Sequence, residues 1–540
     1  MSLPRSQRLL ALLLVALPLA CAPESPEVTP EPPTLRRLTN AQFVNVVHDL
    51  LGDVVIPGEL DPDVRSDGLV AIGAARTAYS PRGVENIETT AFELAAQVLV
   101  PERRDAFVPC TPEATVDAAC AEQVVRTLGR RAWRRPLEDA EVSPLVGLAG
   151  QAASTLGDFY EGLEFAVAGL LQSPHFLYRV ELGAPDPTGT WEQAYTDWEM
   201  ASRLSFLLWN TMPDDALLDA AESGVLSTRD GLWAEAARML EDPRARSGLL
   251  AWFDDMMRLD DLDDLYKEPA AFPHISDTLP DSAREEAHRL FLDVAFGGTD
   301  PDLRNIATSR KTFVNRELAT LYNLPAPVRD GFAAIELPPE SLRRGFFGQA
   351  AFLAPNAHPV SSSATLRGKF VREVFLCAEL PGPPAGVDTS IPPVTEQART
   401  LRQRVQQHLV DPSCASCHRS MDLVGLGFEN FDGIGRYRTT EEGAPIDASG
   451  EIDGVVFQDA AGLAEAVREH EDFGPCLAKT LVRYANGVHE ELPQLDAIDW
   501  LSSEFAATGY QLDHVVLDLV TSPLFRQSSP VDTSPLEETE

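Results

Sequence analysis

In one stretch of this chain, residue types and spacing together demand a particular chemistry: Cys414-Ala415-Ser416-Cys417-His418. Two thiols one helical turn apart can add to the two vinyl groups on one porphyrin edge. A histidine directly after the second thiol then supplies the proximal nitrogen to the iron. A bare C-x-x-C also serves redox dithiols and zinc half-sites, but the chain has no second cysteine pair to complete a zinc site. The competing reading is a short-loop disulfide. The expectation is one covalent haem c, with Cys414 and Cys417 as thioether positions and His418 as proximal ligand.

The sixth iron ligand is less constrained. Beyond Met257 the only methionine is Met421. Three residues extend at most about 10 Å, too short to leave His418 and round the porphyrin to its other face. The candidates become His358, His408, His470 and His489, or a vacant position. His358, in a polar loop, is preferred as distal ligand and His408 comes second. Two axial histidines suit low-potential electron transfer, whereas a vacant position admits peroxide or oxygen and points to catalysis. Arg436 and Arg438 could pair with haem propionates or belong to the surface.

Covalent haem of this type requires export, and the N-terminus carries the signal. Residues 1–20 hold Arg5 and Arg8, then an apolar run, then a small residue before Cys21. The run is too short to span a bilayer and reads as a secretory signal peptide. Cys21 looks like a bacterial lipoprotein processing site, although Pro18 stands where leucine is usual. Acylation there would tether the chain to a membrane surface, in the periplasm or at the outer membrane. Residues 22–34, rich in Pro and Glu, read as an extended tether. No later stretch reaches the roughly 18 apolar residues of a spanning helix.

Seven cysteines fit that compartment. With Cys21, Cys414 and Cys417 assigned, four remain, an even number that suggests two disulfides outside the cytoplasm. Cys110 and Cys120 bracket a polar loop and are paired; Cys377 and Cys476 pair by elimination. The 540 residues carry 83 acidic and 44 basic side chains, a net charge of −39. That balance argues against nucleic-acid binding and permits long-range attraction to a basic redox partner.

Elements must position the motif, and nearly all read as helices. Thr39-Asn40-Ala41-Gln42 is a capping box, followed by Phe43, Val47, Leu50 and Leu51 on one face and a stop at Gly52. Residues 84–99 and 121–133 share the period. The second stretch ends at Arg130, Arg131, Arg134 and Arg135, expected to bind neighbouring carboxylates. A long apolar helix is expected over residues 157–179. Thr196-Asp197-Trp198-Glu199 caps another, Pro213-Asp214-Asp215 marks a turn into a further helix, and residues 232–240 continue the pattern. Residues 254–264 hold six aspartates. Leu259, Leu262 and Leu265 interleave at helical spacing, so the stretch reads as a solvated helix face rather than a calcium loop. Further helices are expected over residues 311–324, 342–353, 367–376 and 395–409, the last leading into the motif. Residues 452–457 read as a short strand, and residues 463–469, 476–486 and 495–505 as helices. No Ser-elbow, P-loop, dinucleotide fingerprint or H-E-x-x-H occurs.

Several stretches in series resemble a known family. They are Arg37-Leu38-Thr39-Asn40, Arg131-Ala132-Trp133-Arg134-Arg135-Pro136-Leu137, Ser173-Pro174-His175-Phe176-Leu177-Tyr178-Arg179 and Ala201-Ser202-Arg203-Leu204-Ser205-Phe206-Leu207-Leu208-Trp209. Arg367-Gly368-Lys369, His408, the haem motif with Met421-Asp422, and Glu429-Asn430-Phe431-Asp432 follow, then residues 481–487 and 521–525. Together they resemble the planctomycete-type cytochrome-like multi-domain family, also abundant in myxobacteria, whose domains are mostly of unknown function. The resemblance implies a covalent haem module in an exported, mainly α protein of several helical domains in series, and brings no substrate.

The expected order is a signal peptide (1–20), a lipidated Cys21 and tether (21–34), an N-terminal helical domain (35–100) and a disulfide loop with helices (101–150). A central helical domain (151–300), a cytochrome c-like haem module (301–445), a C-terminal helical domain (446–526) and a disordered tail (527–540) follow. Three functions compete: an envelope c-type cytochrome in electron transfer, a haem oxidase or peroxidase with an open distal site, and a haem-free binding or scaffold protein. Oligomeric state is not written in the sequence.

Overall fold

Helix caps set the local structure of the chain, and buried arginines join its distant parts. The structure is a computed structural model that describes residues 26–30, 33–298, 300–382, 392–410 and 412–530. Helix makes up 54% and strand 8%, so the chain is mainly α, in several helical domains. Thr39 caps the helix Asn40–Leu51 in a reciprocal capping box with Gln42, and Gly52 ends it at a φ of 73°. Thr196 and Glu199 do the same for Asp197–Leu208. Such caps satisfy amide hydrogens that the first helical turn leaves unpaired.

Two large apolar cores result. One is built from residues 38–177 with Phe206 and Met212, the other mainly from residues 200–525. The second is rich in phenylalanine, with Phe253, Phe291, Phe346, Phe347, Phe352, Phe375 and Phe428 all nearly inaccessible. A small third cluster is Ala364, Leu401, Val405 and Leu426, whose last three members flank the C-x-x-C-H stretch in sequence.

Tertiary context overrides helical periodicity at several places. The helix expected over residues 157–179 ends at Gln172. After the turn Pro174–Leu177, Tyr178–Glu181 is a strand paired antiparallel with Thr34–Arg37. Residues 311–324 divide into the strand Lys311–Val314, paired with Ala333–Glu336, and the helix Arg316–Leu321. Thr312, Phe313 and Val314 suit a pleated surface, and Asn315 caps the helix after them. Residues 342–353 are broken at Gly345, whose φ is 41° and where a Cβ would lie 2.1 Å from the Ile306 carbonyl oxygen. Residues 452–457 form a hairpin, Gly450–Ile452 with Val455–Phe457, turning on Asp453 and Gly454, both at positive φ.

The aspartate-rich stretch is a set of latches rather than a solvated helix face. Asp255 accepts from the amides of Val70 (2.7 Å) and Ala71 (2.9 Å), Asp254 meets His288 at 2.7 Å, Asp260 and Asp261 pair with Arg65, and Asp263 pairs with Arg284. The arginine cluster is mixed. Arg130 binds Asp219 and Glu222, and Arg135 binds Glu141. Arg134 is instead buried and donates to the carbonyls of Ala132, His175, Phe176 and Tyr178. Residues 26–30 do not project as an extended tether: Val28 is buried in the larger core, and Gln494 reaches the Thr29 carbonyl. At the other end Gln527 bridges Ala194 and Ser528 is buried. Both expected disulfides are present, Cys110–Cys120 and Cys377–Cys476.

Arg36, Arg179 and Arg203 converge on Glu181, and all four side chains are at most 4% exposed. Arg36 also donates to the carbonyls of Tyr484 and Ala485, and Arg203 to that of Phe525 and to Asn486. The first strand, the central helix and the C-terminal region are thus tied at one carboxylate. Glu181→Gln leaves the guanidinium groups uncompensated and should lower stability by about 3–5 kcal/mol in urea denaturation.

Glu286 is fully buried between the hydroxyls of Thr312 and Tyr322, each at 2.6 Å, and burial pushes its carboxyl from 4.5 up to about 7. Between pH 4.5 and 7 the folded protein holds a proton that the unfolded chain has lost, so this group's contribution to stability is present below that window and declines as pH rises. Against Glu286→Gln, the wild type should lose up to about 1.4 kcal/mol per pH unit across the window.

Candidate functional site

The C-x-x-C-H stretch lies in the helix Pro412–Gly425. The side chains of Cys414, Cys417 and His408 lie outside the described residues, as does Cys21. His418 is half-buried, and its Nδ1 meets Asp422 Oδ2 at 3.0 Å, one turn further along. Asp422 is fully buried, and its Oδ1 accepts from the Thr365 hydroxyl at 2.7 Å. A carboxylate that accepts from Nδ1–H fixes the imidazole tautomer and ring orientation, and places the ring's acceptor lone pair on Nε2.

Thr365 reaches Asp422 because two helices cross at very short range. A Cβ on Gly368, in Ala364–Phe370, would lie 1.8 Å from the Met421 carbonyl oxygen. One on Gly425 would lie 1.7 Å from that of Ala364. Each glycine admits the backbone of the other helix. Arg367, on the same short helix and fully buried, donates to the carbonyls of Leu353, Phe428, Phe431 and Asp432. It thereby fixes the loop that leaves the motif helix. Burial pulls its guanidinium down to about 10, still charged at neutral pH.

The expected ligands and anion partners separate clearly. His470 uses both ring nitrogens, on Asp453 (2.9 Å) and the Asp472 amide (3.2 Å). His489 does likewise, on Arg483 (2.9 Å) and the Glu490 carbonyl (3.2 Å). The His358 ring has no hydrogen-bond partner among the described residues, and no contact with His418 is among the described hydrogen bonds. Burial and the neighbouring Lys267 charge lower its pKa, which keeps the ring neutral. Arg438 is occupied by Glu429 and Ser362.

Sequence reasoning quoted Asp422 without giving it a role and passed over Thr365. It also missed Lys267, which is 4% exposed and donates to the carbonyls of Ala357 and His358 at 2.7 and 3.0 Å. Burial lowers that ammonium to about 7. For Asp422 a signal existed, since a carboxylate four residues after a histidine shares its helix face. Lys267 offered none.

The donor set fits a covalent haem. Of seven cysteines four are spent in disulfides, which leaves Cys21, Cys414 and Cys417, the last two next in sequence to a histidine whose Nδ1 is engaged by Asp422. Among the described residues no group of three or more His, Cys, Asp or Glu side chains could hold a metal ion, and no helix is long and apolar enough to cross a membrane.

Five family models match in series, each described as a protein of unknown function: DUF1587 over residues 36–100, DUF1595 over 120–181, DUF1592 over 195–324, DUF1588 over 343–441 and DUF1585 over 453–525. They support a multi-domain family of unknown function. No curated protein and no solved structure matches the chain.

Removing the buried carboxylate strands two hydrogen-bond donors. Asp422→Ala should cost about 1–3 kcal/mol, and Thr365→Val should cost less. Denaturant titration of both variants checks the order.

Proposed function

We propose that this chain of five serial domains is an exported c-type haem protein that takes part in redox chemistry at the cell envelope. Cys414 and Cys417 would hold the macrocycle and His418 would be its proximal ligand. Bound haem would supply one-electron chemistry at its iron. The observation that carries the reading is the His418–Asp422–Thr365 chain of hydrogen bonds, with the carboxylate sequestered from water. Metal-ligating histidines are habitually oriented by such a partner, whereas a disulfide-forming C-x-x-C has no use for one.

For the distal position His358 is the stronger candidate. Its ring is neutral and uncommitted, whereas His470 and His489 are bound on both nitrogens. Acylation of Cys21 would hold the protein at a membrane surface, and the net charge of −39 would draw in a basic redox partner.

The test is a pyridine haemochrome spectrum of the mature chain, expressed with c-type maturation machinery and denatured before reading. The expected result is a c-type band that stays with the polypeptide and is lost in Cys414→Ala/Cys417→Ala. A colourless wild type overturns the proposal and leaves the haem-free scaffold. Carbon monoxide added to the reduced native protein then separates the two haem readings. Weak or slow binding fits an axial His358, and rapid tight binding points to an open-site enzyme.

A further inference from the structure

Away from the motif helix a cleft of about 340 Å³ opens between the two cores, a volume suited to a small organic molecule. Four of the stretches quoted from the sequence meet there. Arg36 and Arg37 arrive on the first strand, Arg179 on the second, Phe206 on the central helix and Tyr484 on Phe473–Asn486.

The charges in its floor do not balance. Arg36 and Arg179 are direct neighbours across the antiparallel strand pair, a placement that is destabilising for like charges. With Arg203 they share one carboxylate, Glu181: three guanidinium groups against one anion, an excess of two positive charges. Arg179 lines the cleft, is 4% exposed and is held by its ion pair with Glu181, while its Nε is buried without a hydrogen-bond partner. The Nε of Arg36 is in the same condition. Burial lowers Arg36 to about 9 and lowers Arg179 too, while the Glu181 carboxylate favours the charged form of each, and a guanidinium keeps its proton inside proteins.

The rim is different. Its aspartates are each already engaged: Asp63 by Arg37 and the Asn40 amide, Asp254 by His288, Asp255 by two amides, Asp260 by Arg65 and Asp263 by Arg284. They do not neutralise the floor, but a carboxylate retains spare acceptor positions after one such contact. An anion that enters must therefore carry its charge at one end and hydrogen-bond donors along its body. Polyphosphates and polycarboxylates would be repelled by the rim.

We propose that this cleft binds a small hydroxylated monocarboxylate of the sugar-acid class, with its carboxylate on Arg179 and its hydroxyls donating to the aspartate rim. This site is separate from the haem motif and does not depend on that assignment.

The experiment is isothermal titration of the mature full-length chain with D-glucuronate, compared with D-glucose and citrate. Glucuronate should bind at one site, at least about tenfold more tightly than either comparator, because glucose lacks the charge and citrate carries too much of it. Arg179→Lys keeps the charge but loses the planar fork, and should weaken glucuronate about tenfold. No binding of glucuronate at millimolar concentration, equal affinity for glucose, or an undiminished Arg179→Lys would each overturn the proposal. If that variant does not fold, a wild-type crystal soaked with glucuronate decides: a carboxylate within hydrogen-bonding distance of Arg179 supports the site, and density elsewhere or none overturns it.

Discussion

Glu181 sits on a strand edge with Arg179 two residues before it on the same face, Arg36 opposite Arg179 on the neighbouring strand, and Arg203 descending from the central helix. Arg36 continues to the carbonyls of Tyr484 and Ala485, and Arg203 to that of Phe525. Segments separated by more than 300 positions therefore share one ionic knot. Desolvating four charges is expensive, and attraction repays it only where geometry and further hydrogen bonds are good. Because that geometry exists only when all three segments are in place, the knot links the N-terminal strand pair to the helices of the larger core.

The helix that carries the C-x-x-C-H stretch depends on a different constraint, the close crossing of two helices. Gly368 and Gly425 each leave room for the other helix's backbone, and that proximity brings Thr365 to Asp422 and Asp422 to His418. Arg367 then secures the loop after the motif helix through four carbonyls. The proposed proximal ligand is thus oriented by a small rigid unit. The Cys377–Cys476 bridge closes a loop that holds the motif helix but not Ala364–Phe370, and a covalent loop of this length restricts the unfolded chain considerably.

The distribution of charge links the two sites. A chain of net charge −39 presents a largely acidic surface, yet its buried ionic centre is cationic, with Arg36, Arg134, Arg179 and Arg203 all nearly inaccessible. Surface acid governs solubility and long-range attraction. Buried arginine does structural work by donating to carbonyls, as Arg134 and Arg367 do, and leaves an unbalanced floor where Arg179 meets the cleft. The cleft is lined by residues outside the helix that carries the C-x-x-C-H motif.

Local rules carried much of this protein. The capping boxes at Thr39 and Thr196, the stop at Gly52, the mainly helical class and the pairing of four cysteines follow from short-range chemistry and parity, and all are present. The His418–Asp422 pair was also within reach, because its members are one helical turn apart. Tertiary structure decided what periodicity cannot encode. Residues 178–181 are a strand because residues 34–37 lie beside them, and the aspartate-rich stretch is a set of latches because Arg65, Arg284 and the Val70 amide come to it. The arginine-floored cleft is assembled from segments hundreds of residues apart. Which charges end up sharing one counter-ion depends on how the segments pack, and no local pattern records that.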